Sequence, residues 1–315
     1  MSFKIFLELV EIRTKLASLL PFIIGLLFAI YHFDQFNPLN TIVFFISMII
    51  FDMTTTAINN YMDWKKAVEN SVIDYKNTRN VIGIHNLDEK IVVTIILAML
   101  LVAIALGVWL VYLTTIIVFF IGVLCFAIGI FYTFGPIPLS RLPVGEIFSG
   151  ITMGFGIRFL VIYVNAYHLG LLGLAYNHGT LLIYLDVVEL LTIVLISLPG
   201  VFTIANVMLA NNICDLEEDR SNNRFTLVHY IGRRSALKLF SFLYLLSFIS
   251  LILAMVIGVL PLSIGIIIFT ILPVYKNIKT FQQTQSKSQT FVLSLKNLLL
   301  INGATALALA VTLVI

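Results

Sequence analysis

The stretch Ile204-Ala205-Asn206-Val207-Met208-Leu209-Ala210-Asn211-Asn212-Ile213-Cys214-Asp215 ends an apolar run over 187–211 with a polar pentapeptide. Asn59-Asn60-Tyr61-Met62-Asp63 ends another run, over 41–60, in the same Asn-Asn-x-x-Asp pattern. About 20 apolar residues cross the hydrocarbon layer as a helix, so each pentapeptide marks the edge of a membrane span. Polar groups this dense at such an edge are not packing residues. Further charge follows each one: Lys65, Lys66 and Glu69 after the first, Glu217, Glu218, Asp219 and Arg220 after the second.

The rest of the chain has the same character. Hydrophobic residues make up 60% of it and charged residues 11%, and the mean hydropathy is +1.05. Ordinary soluble domains are about one half apolar and one quarter charged, so this is an integral membrane protein of the all-α class. Nine spans are predicted, near 14–32, 41–60, 91–112, 115–133, 145–165, 187–211, 236–258, 260–275 and 294–314. The eighth is short enough to be tilted or partly interfacial. The first follows Lys4, Arg13 and Lys15 but has no small-x-small cleavage site, and is read as a retained helix. Cys125 and Cys214 lie too far apart in pattern to form a disulfide framework or a metal-ligand spacing.

Lysine and arginine placement orients the bundle, because positive loops stay in the cytoplasm. With the amino terminus in the cytoplasm, every one of the 19 Lys and Arg residues except Arg158 falls on the inner side. Both pentapeptides then face the cytoplasm. The net charge of +3 reflects this bias and implies no nucleic-acid partner. One domain over 1–315 is expected, with long inner loops at 61–90 and 212–235, each opening on one motif. Four spans, the third to the sixth, lie between the end of the second helix and the end of the sixth, so the two motif helices run the same way, as a parallel internal duplication.

Helical spacing gives the motifs a face. Asp52, Thr56, Asn60 and Asp63 fall on one stripe of the second helix, and Asn212, Asp215 and Asp219 on one stripe at the end of the sixth. Pro199-Gly200 is expected to bend the sixth helix and open room in the bundle. Magnesium typically takes one or two carboxylates together with phosphate oxygens and water. Asp63, Glu69, Asp215 and Asp219 suit that role, with Asn60 and Asn212 as auxiliary or orienting groups. Lys65, Lys66, Arg79, Arg220 and Arg224 are candidate partners for phosphate oxygens. A diphosphate held at a membrane rim above an apolar cavity points to an isoprenoid diphosphate.

These motifs resemble the UbiA-type superfamily of intramembrane aromatic prenyltransferases, across most of the chain. The region Asn211-Asn212-Ile213-Cys214-Asp215-Leu216-Glu217-Glu218-Asp219-Arg220, with Arg224-Phe225-Thr226-Leu227 and Gly232-Arg233-Arg234, is similar to the second-motif region of 1,4-dihydroxy-2-naphthoate polyprenyltransferases. Tyr132-Thr133-Phe134-Gly135-Pro136-Ile137-Pro138-Leu139, Gly145-Glu146 and Met153-Gly154 resemble their connection between the fourth and fifth helices. The resemblance implies a magnesium diphosphate site at Asp63, Glu69, Asp215 and Asp219 assisted by Asn60 and Asn212, with Lys66, Arg79 and Arg224 on the phosphates. It also implies transfer of a polyprenyl group from polyprenyl diphosphate to 1,4-dihydroxy-2-naphthoate with loss of the carboxylate, giving demethylmenaquinone. This chain departs from the pattern at Thr56, Asn60, Glu69 and Cys214, where Asn, Asp, Asp and Arg are common.

Plainer roles stand beside these. Asp52 and Arg158 lie inside spans, where an ionisable group costs at least about 2–3 kcal/mol unless paired. Either they serve the acceptor or they make structural pairs, with each other or with a neighbouring helix. Tyr132 and Glu146 are candidate rim residues, Glu146 otherwise serving the helix dipole. The five histidines share no ligand spacing. Other functions open at this stage are a prenyltransferase for 4-hydroxybenzoate, haem, a chlorophyllide or a lipid alcohol, and a transporter of an anionic lipid.

Overall fold

The computed structural model describes residues 1–66, 80–132, 134, 138–221 and 224–315, apart from the side chains of Arg13 and Lys66. A short helix α1 (Phe3–Leu9) and a 3-10 turn (Ile12–Lys15) precede the bundle. The spans α2 (Leu16–Phe33), α3 (Pro38–Lys66), α5 (Glu89–Leu113) and α6 (Ile116–Phe131) follow, with the single turn α4 (Val81–Ile84) before α5. Next come α7 (Gly145–Leu169), α8 (Val187–Cys214), the short α9 (Leu216–Ser221), α10 (Leu227–Val256), α11 (Leu262–Gln283) and α12 (Val292–Val314). Eight of these are long and apolar enough to cross a membrane, and α6 is a shorter apolar helix. Among the described residues these nine form a helical bundle of the all-α class, as the hydropathy predicts.

Helix α8 stands at the centre, packed on α7, α10 and α12, while α3 packs on α5 and α2 on α7 and α12. Lipid is as apolar as leucine, so polar side chains add the specific contacts between helices. Asn206 Nδ2 donates to the Phe240 carbonyl at 2.9 Å, tying α8 to α10. Asn165 Oδ1, at the far end of α7, accepts from the Asn37 backbone N–H and from Thr41 Oγ1, which fixes the start of α3.

Several boundaries differ from the expectation. The motifs lie within the last turns of helices: α3 runs on to Lys66 and α8 to Cys214, and α5 and α10 begin at Glu89 and Leu227, inside the expected loops. Capping explains part of this, since Asp88 accepts from the Lys90 N–H to start α5. The eighth span is full length, because its first six residues, Leu262–Ile267, wind as a 3-10 turn before the α-helix proper. Helix α10 is interrupted at Gly232, whose φ of 76° is open to glycine at little cost, and this break separates a surface turn from the span.

On the end of the bundle opposite the motifs, the connection 166–186 contains a hairpin that hydropathy did not suggest. Strands β1 (Leu172–Asn177) and β2 (Thr180–Leu185) pair antiparallel, and Tyr163 Oη pins the hairpin through the Leu172 carbonyl at 2.8 Å. All of β2 is exposed. Its Leu181, Leu182, Ile183 and Tyr184 continue the apolar exterior of α8, and no charged residue interrupts them.

Candidate active site

A cavity of about 650 Å³ lies among α2, α3, α5, α6, α7 and α8. On α3 its lining runs from Phe44 to Asn59, and on α8 it includes Ile204, Val207 and Met208. Asp63 follows Asn59 by one helical turn, and Asn212 follows Met208 by one, so both motifs sit at the same mouth of one chamber. Most of the wall is apolar. Phe51 and Phe126 meet there with ring centroids 4.1 Å apart. Ile104, Val108, Phe119 and Val123 belong to the wall and are also exposed on the outer side, so the chamber opens sideways toward hydrocarbon.

At its inner polar patch the chamber holds an ion pair. Lys15 Nζ lies 2.8 Å from Asp52 Oδ1 and donates to Thr56 Oγ1 at 2.6 Å, and Ser18 Oγ donates to Asp52 Oδ2 at 2.6 Å. All four residues line the cavity. Pairing removes most of the cost of a charge at this depth. The stripe of α3 that faces the chamber is therefore Asp52, Thr56 and Asn59, with Asp63 one turn further. Asn60, expected on that stripe, is rotated about 100° past Asn59. Its Nδ2 donates instead to the Leu9 carbonyl at 2.9 Å, and its own carbonyl accepts from Asn80 Nδ2.

The second motif is built differently. Asn212 Nδ2 donates to Glu146 Oε1 at 2.8 Å, bringing the end of α8 to the start of α7. Asp219 Oδ1 lies 3.7 Å from Arg224 Nε, and the same nitrogen donates to the Ser140 carbonyl. Lys287, from the connection between α11 and α12, donates to Asp215 Oδ2 and to Asn211 Oδ1. Among the described residues, three buried oxygens here find no hydrogen-bond partner: Asn212 Oδ1, Glu146 Oε2 and Asp219 Oδ2. Burial raises the Asp219 pKa to about 6, with Asp215 and Glu218 adding to the shift and Arg224 and Lys287 opposing it. Burial likewise pushes the Tyr132 phenol up. Its hydroxyl lies against the Gly145 carbonyl, and Tyr132 lines the cavity.

This donor set fits a hard divalent cation. Every unpartnered atom is an oxygen, and an ammonium already stands against Asp215. Among the described residues no three His, Cys, Asp or Glu side chains converge on a metal position. A cation here would therefore rest on one or two carboxylates, an amide oxygen and oxygens from its ligand, as magnesium commonly does.

Residues 18–313 match the UbiA prenyltransferase family. The chain belongs to that family. It is 26% identical over 242 residues to the 1,4-dihydroxy-2-naphthoate octaprenyltransferase of Bacillus subtilis (strain 168), covering 77% of this chain and 70% of that protein. Among solved structures, a UbiA homologue from Aeropyrum pernix K1 aligns with a TM-score of 0.68 at 16% identity, over 93% of this chain and 96% of the other. A UbiA homologue from Archaeoglobus fulgidus, solved with GPP and Mg2+, aligns with a TM-score of 0.67 at 13% identity, over 99% and 100% of the two chains. At these identities the structures bear on the fold alone.

Within this UbiA chain, the structure gathers Asn212, Asp215, Asp219, Arg224, Glu146 and Tyr132 at the chamber mouth and places Asp63 one turn from its wall. Glu69 and Arg79 lie outside the described residues, as does the Lys66 side chain. Two cations considered for phosphate have other partners. Lys65 Nζ donates to Glu89 and Tyr61 at 2.9 Å each, and Arg220 lies 3.6 Å from Glu217. The pairing of Asp52 with Arg158 does not occur, since Lys15 takes Asp52. Arg158 is 1% exposed and donates to the carbonyls of Ile196 and Ser197 and to Asn302 Oδ1. Those carbonyls border Pro199, which offers no N–H to the helix ladder. A Cβ on Gly200 would come within 2.7 Å of the guanidinium carbon, so the room expected at Pro199-Gly200 is filled by Arg158. Lys15 and Lys287 were missed in the sequence. Neither lies near a motif in the sequence, Lys15 following Arg13-Thr14 and Lys287 standing between Ser286 and Ser288, and only the fold carries each to a motif helix.

Proposed function

We propose that this UbiA-family chain transfers a polyprenyl group from polyprenyl diphosphate to 1,4-dihydroxy-2-naphthoate, which loses its carboxylate to give the demethylmenaquinone skeleton. The Bacillus subtilis relative, named for that acceptor, supports the choice. The observation that carries the reading is the set of unpartnered buried oxygens of Asn212, Asp219 and Glu146 at the mouth of an apolar chamber large enough for part of a prenyl tail. Magnesium would be held by Asp215, Asp219 and Asn212 from one side and by Asp63, with Glu69, from the other. When bound it supplies positive charge to the diphosphate, favouring departure of that group from C1.

The chain's own residues do the rest. Arg224 sits beside Asp219, where it meets phosphate oxygens that the metal leaves uncovered. Phe51 and Phe126 line the chamber, where they shield the allylic carbon from water and stabilise its positive charge. The ring carbon that bears the carboxylate attacks C1 as the C1–O bond breaks and diphosphate leaves; the ring–carboxylate bond then breaks, releasing CO2 and returning its electron pair to the ring. Lys15 and Asp52 lie about 16 Å along α3 from Asp63. At that depth they suit the polar groups of an acceptor whose ring reaches toward C1. Lys15 attracts its carboxylate, and Asp52 Oδ2 can take a proton from a ring hydroxyl. The prenyl tail follows the sideways opening into lipid. We place the site on the cytoplasmic side of the cell membrane, because the cationic segments lie there under the positive-inside rule.

The test is a mass-spectrometric product assay. Membranes containing the chain are given one long prenyl diphosphate with 1,4-dihydroxy-2-naphthoate, 4-hydroxybenzoate or haem, with and without magnesium. A prenylated, decarboxylated naphthalene product that requires magnesium is expected. Product on 4-hydroxybenzoate alone would replace the acceptor, and binding of prenyl diphosphate with no product on any acceptor would overturn the enzyme reading in favour of lipid transport.

A further inference from the structure

Lys287 comes from the connection between α11 and α12, more than seventy positions from Asp215 along the chain. That connection is a built turn. Gln285 Nε2 donates to the carbonyls of Phe281 and Gln282, Thr290 Oγ1 donates to the Thr284 carbonyl, and the Ser286 N–H donates to Thr290 Oγ1. Thr290 itself is buried. The turn therefore carries Lys287 to the second motif, where its ammonium lies 2.5 Å from Asp215 Oδ2 and also contacts Asn211 Oδ1. Lys287 is 49% exposed and Asp215 20%, so the cation approaches the motif from the solvent side. Beneath it, Asn212, Asp219 and Glu146 are 1%, 5% and 4% exposed, and each keeps an oxygen without a partner.

We propose that Lys287 is a diphosphate-binding residue, and that its ammonium and a divalent cation compete for the Asp215 carboxylate. The inference rests on the reading of this rim as a prenyl diphosphate site. Magnesium binds carboxylate oxygens at about 2.0–2.1 Å, a position that the ammonium against Oδ2 blocks. When the metal takes that oxygen, the flexible four-carbon stem lets Nζ swing to a new anion. The nearest one the site would hold is the diphosphate. Metal and diphosphate then favour the same placement of Lys287, and each strengthens binding of the other through it. The two motifs thus have a third contributor, from the turn that precedes the last span.

The experiment uses the full chain in nanodiscs, with Mn2+ binding followed by electron paramagnetic resonance, alone and with inorganic pyrophosphate. Lys287→Gln is expected to tighten Mn2+ alone by about two- to fivefold, the scale of a half-exposed ion pair. It is expected to weaken pyrophosphate in the presence of Mn2+ by about tenfold, the scale of a charge-assisted hydrogen bond. Lys287→Arg, which keeps the charge, should restore most of the pyrophosphate affinity. If Lys287→Gln leaves both constants unchanged while Asp219→Asn removes Mn2+ binding, the role of Lys287 is refuted and the metal site stands. If Asp219→Asn leaves Mn2+ binding intact, the site reading fails and the inference about Lys287 fails with it.

Discussion

The two Asn-Asn-x-x-Asp motifs share a pattern, but the fold uses them differently. In the first, the Asn60 amide clamps the carbonyl of Leu9, Asn80 holds the Asn60 carbonyl, and Tyr61 joins Lys65 and Glu89 in a surface cluster. Those groups tie α3 to α1, α4 and α5. In the second, Asn212 and Asp219 are buried with an oxygen each left unpartnered among the described residues, and Glu146 adds another. Leaving a buried polar atom unsatisfied costs about 1–3 kcal/mol, so three of them at one rim are a standing penalty. A bound cation removes it. The comparison teaches that one motif chiefly holds the chamber together while the other stores the electrostatic demand that a ligand meets. Sequence symmetry therefore does not carry over into symmetry of role.

Substitution of carboxylates should show the largest effect. Asp219→Asn is expected to lower turnover by about 10²–10³-fold, the scale of losing one preorganised electrostatic contact, measured as product per minute in the naphthoate assay. The same change should stabilise the metal-free protein. With its pKa raised from 3.8 to about 6, folded Asp219 binds more proton than unfolded Asp219 between those values. Stability accordingly falls as pH rises through that window, and near pH 7 the ionised carboxylate costs about 3 kcal/mol. Asn at 219 carries no such cost, so its apparent melting temperature in EDTA at pH 7 should exceed that of the wild type. At pH 4 the gap should nearly close. Equal melting temperatures at pH 7 would mean that the second motif stores no electrostatic strain.

Next in size is the matched pair Asn212→Ala and Asn60→Ala. Asn212→Ala should weaken Mn2+ binding about tenfold, because it removes a candidate ligand oxygen, while leaving the melting temperature nearly unchanged, since removal of the unpartnered Asn212 Oδ1 offsets the Glu146 Oε1 left without its donor. Asn60→Ala should do the reverse, costing about 1 kcal/mol of stability through the lost contact to Leu9 and leaving Mn2+ affinity within about twofold. Equivalent behaviour of the two variants in both assays would erase the distinction between the motifs.

Much of this could be anticipated from the chain. Among the described residues eight spans follow from apolar runs long enough to cross a bilayer and a ninth from a shorter one, and the motif helices run parallel because an even number of spans separates their ends. What escaped the sequence shares one cause: the deciding contacts are long-range. Hydropathy cannot show that α3 continues through Asn59-Asn60 to Lys66, because polar residues at a helix end resemble the start of a loop. Spacing placed Asn60 and Asp52 on one face, yet a stripe is wide enough for either Asn59 or Asn60 to face the chamber, and only the packing of α1 decides. Lys15, Lys287 and the partner of Arg158 each depend on a residue at least 37 positions away. Arg158 was legible as costly, but nothing local says that its partners are carbonyls beside Pro199.

The smallest expected effect falls on Lys65, and it is the sharpest check on the first motif as scaffold. Lys65 is only two residues past Asp63 and carries the charge that a diphosphate attracts, so proximity in sequence assigns it to phosphate. In the fold its ammonium is held by Glu89 and Tyr61 and lies 5.3 Å from the Tyr61 ring centroid. Lys65→Gln should therefore change turnover and pyrophosphate affinity by less than about twofold, as exposed ion pairs do. Lys287→Gln, far from either motif in sequence, should exceed it severalfold in the same binding assay. If the order is reversed, the phosphates lie over the first motif, and the division of labour between the two halves is the opposite of the one drawn from their hydrogen bonds.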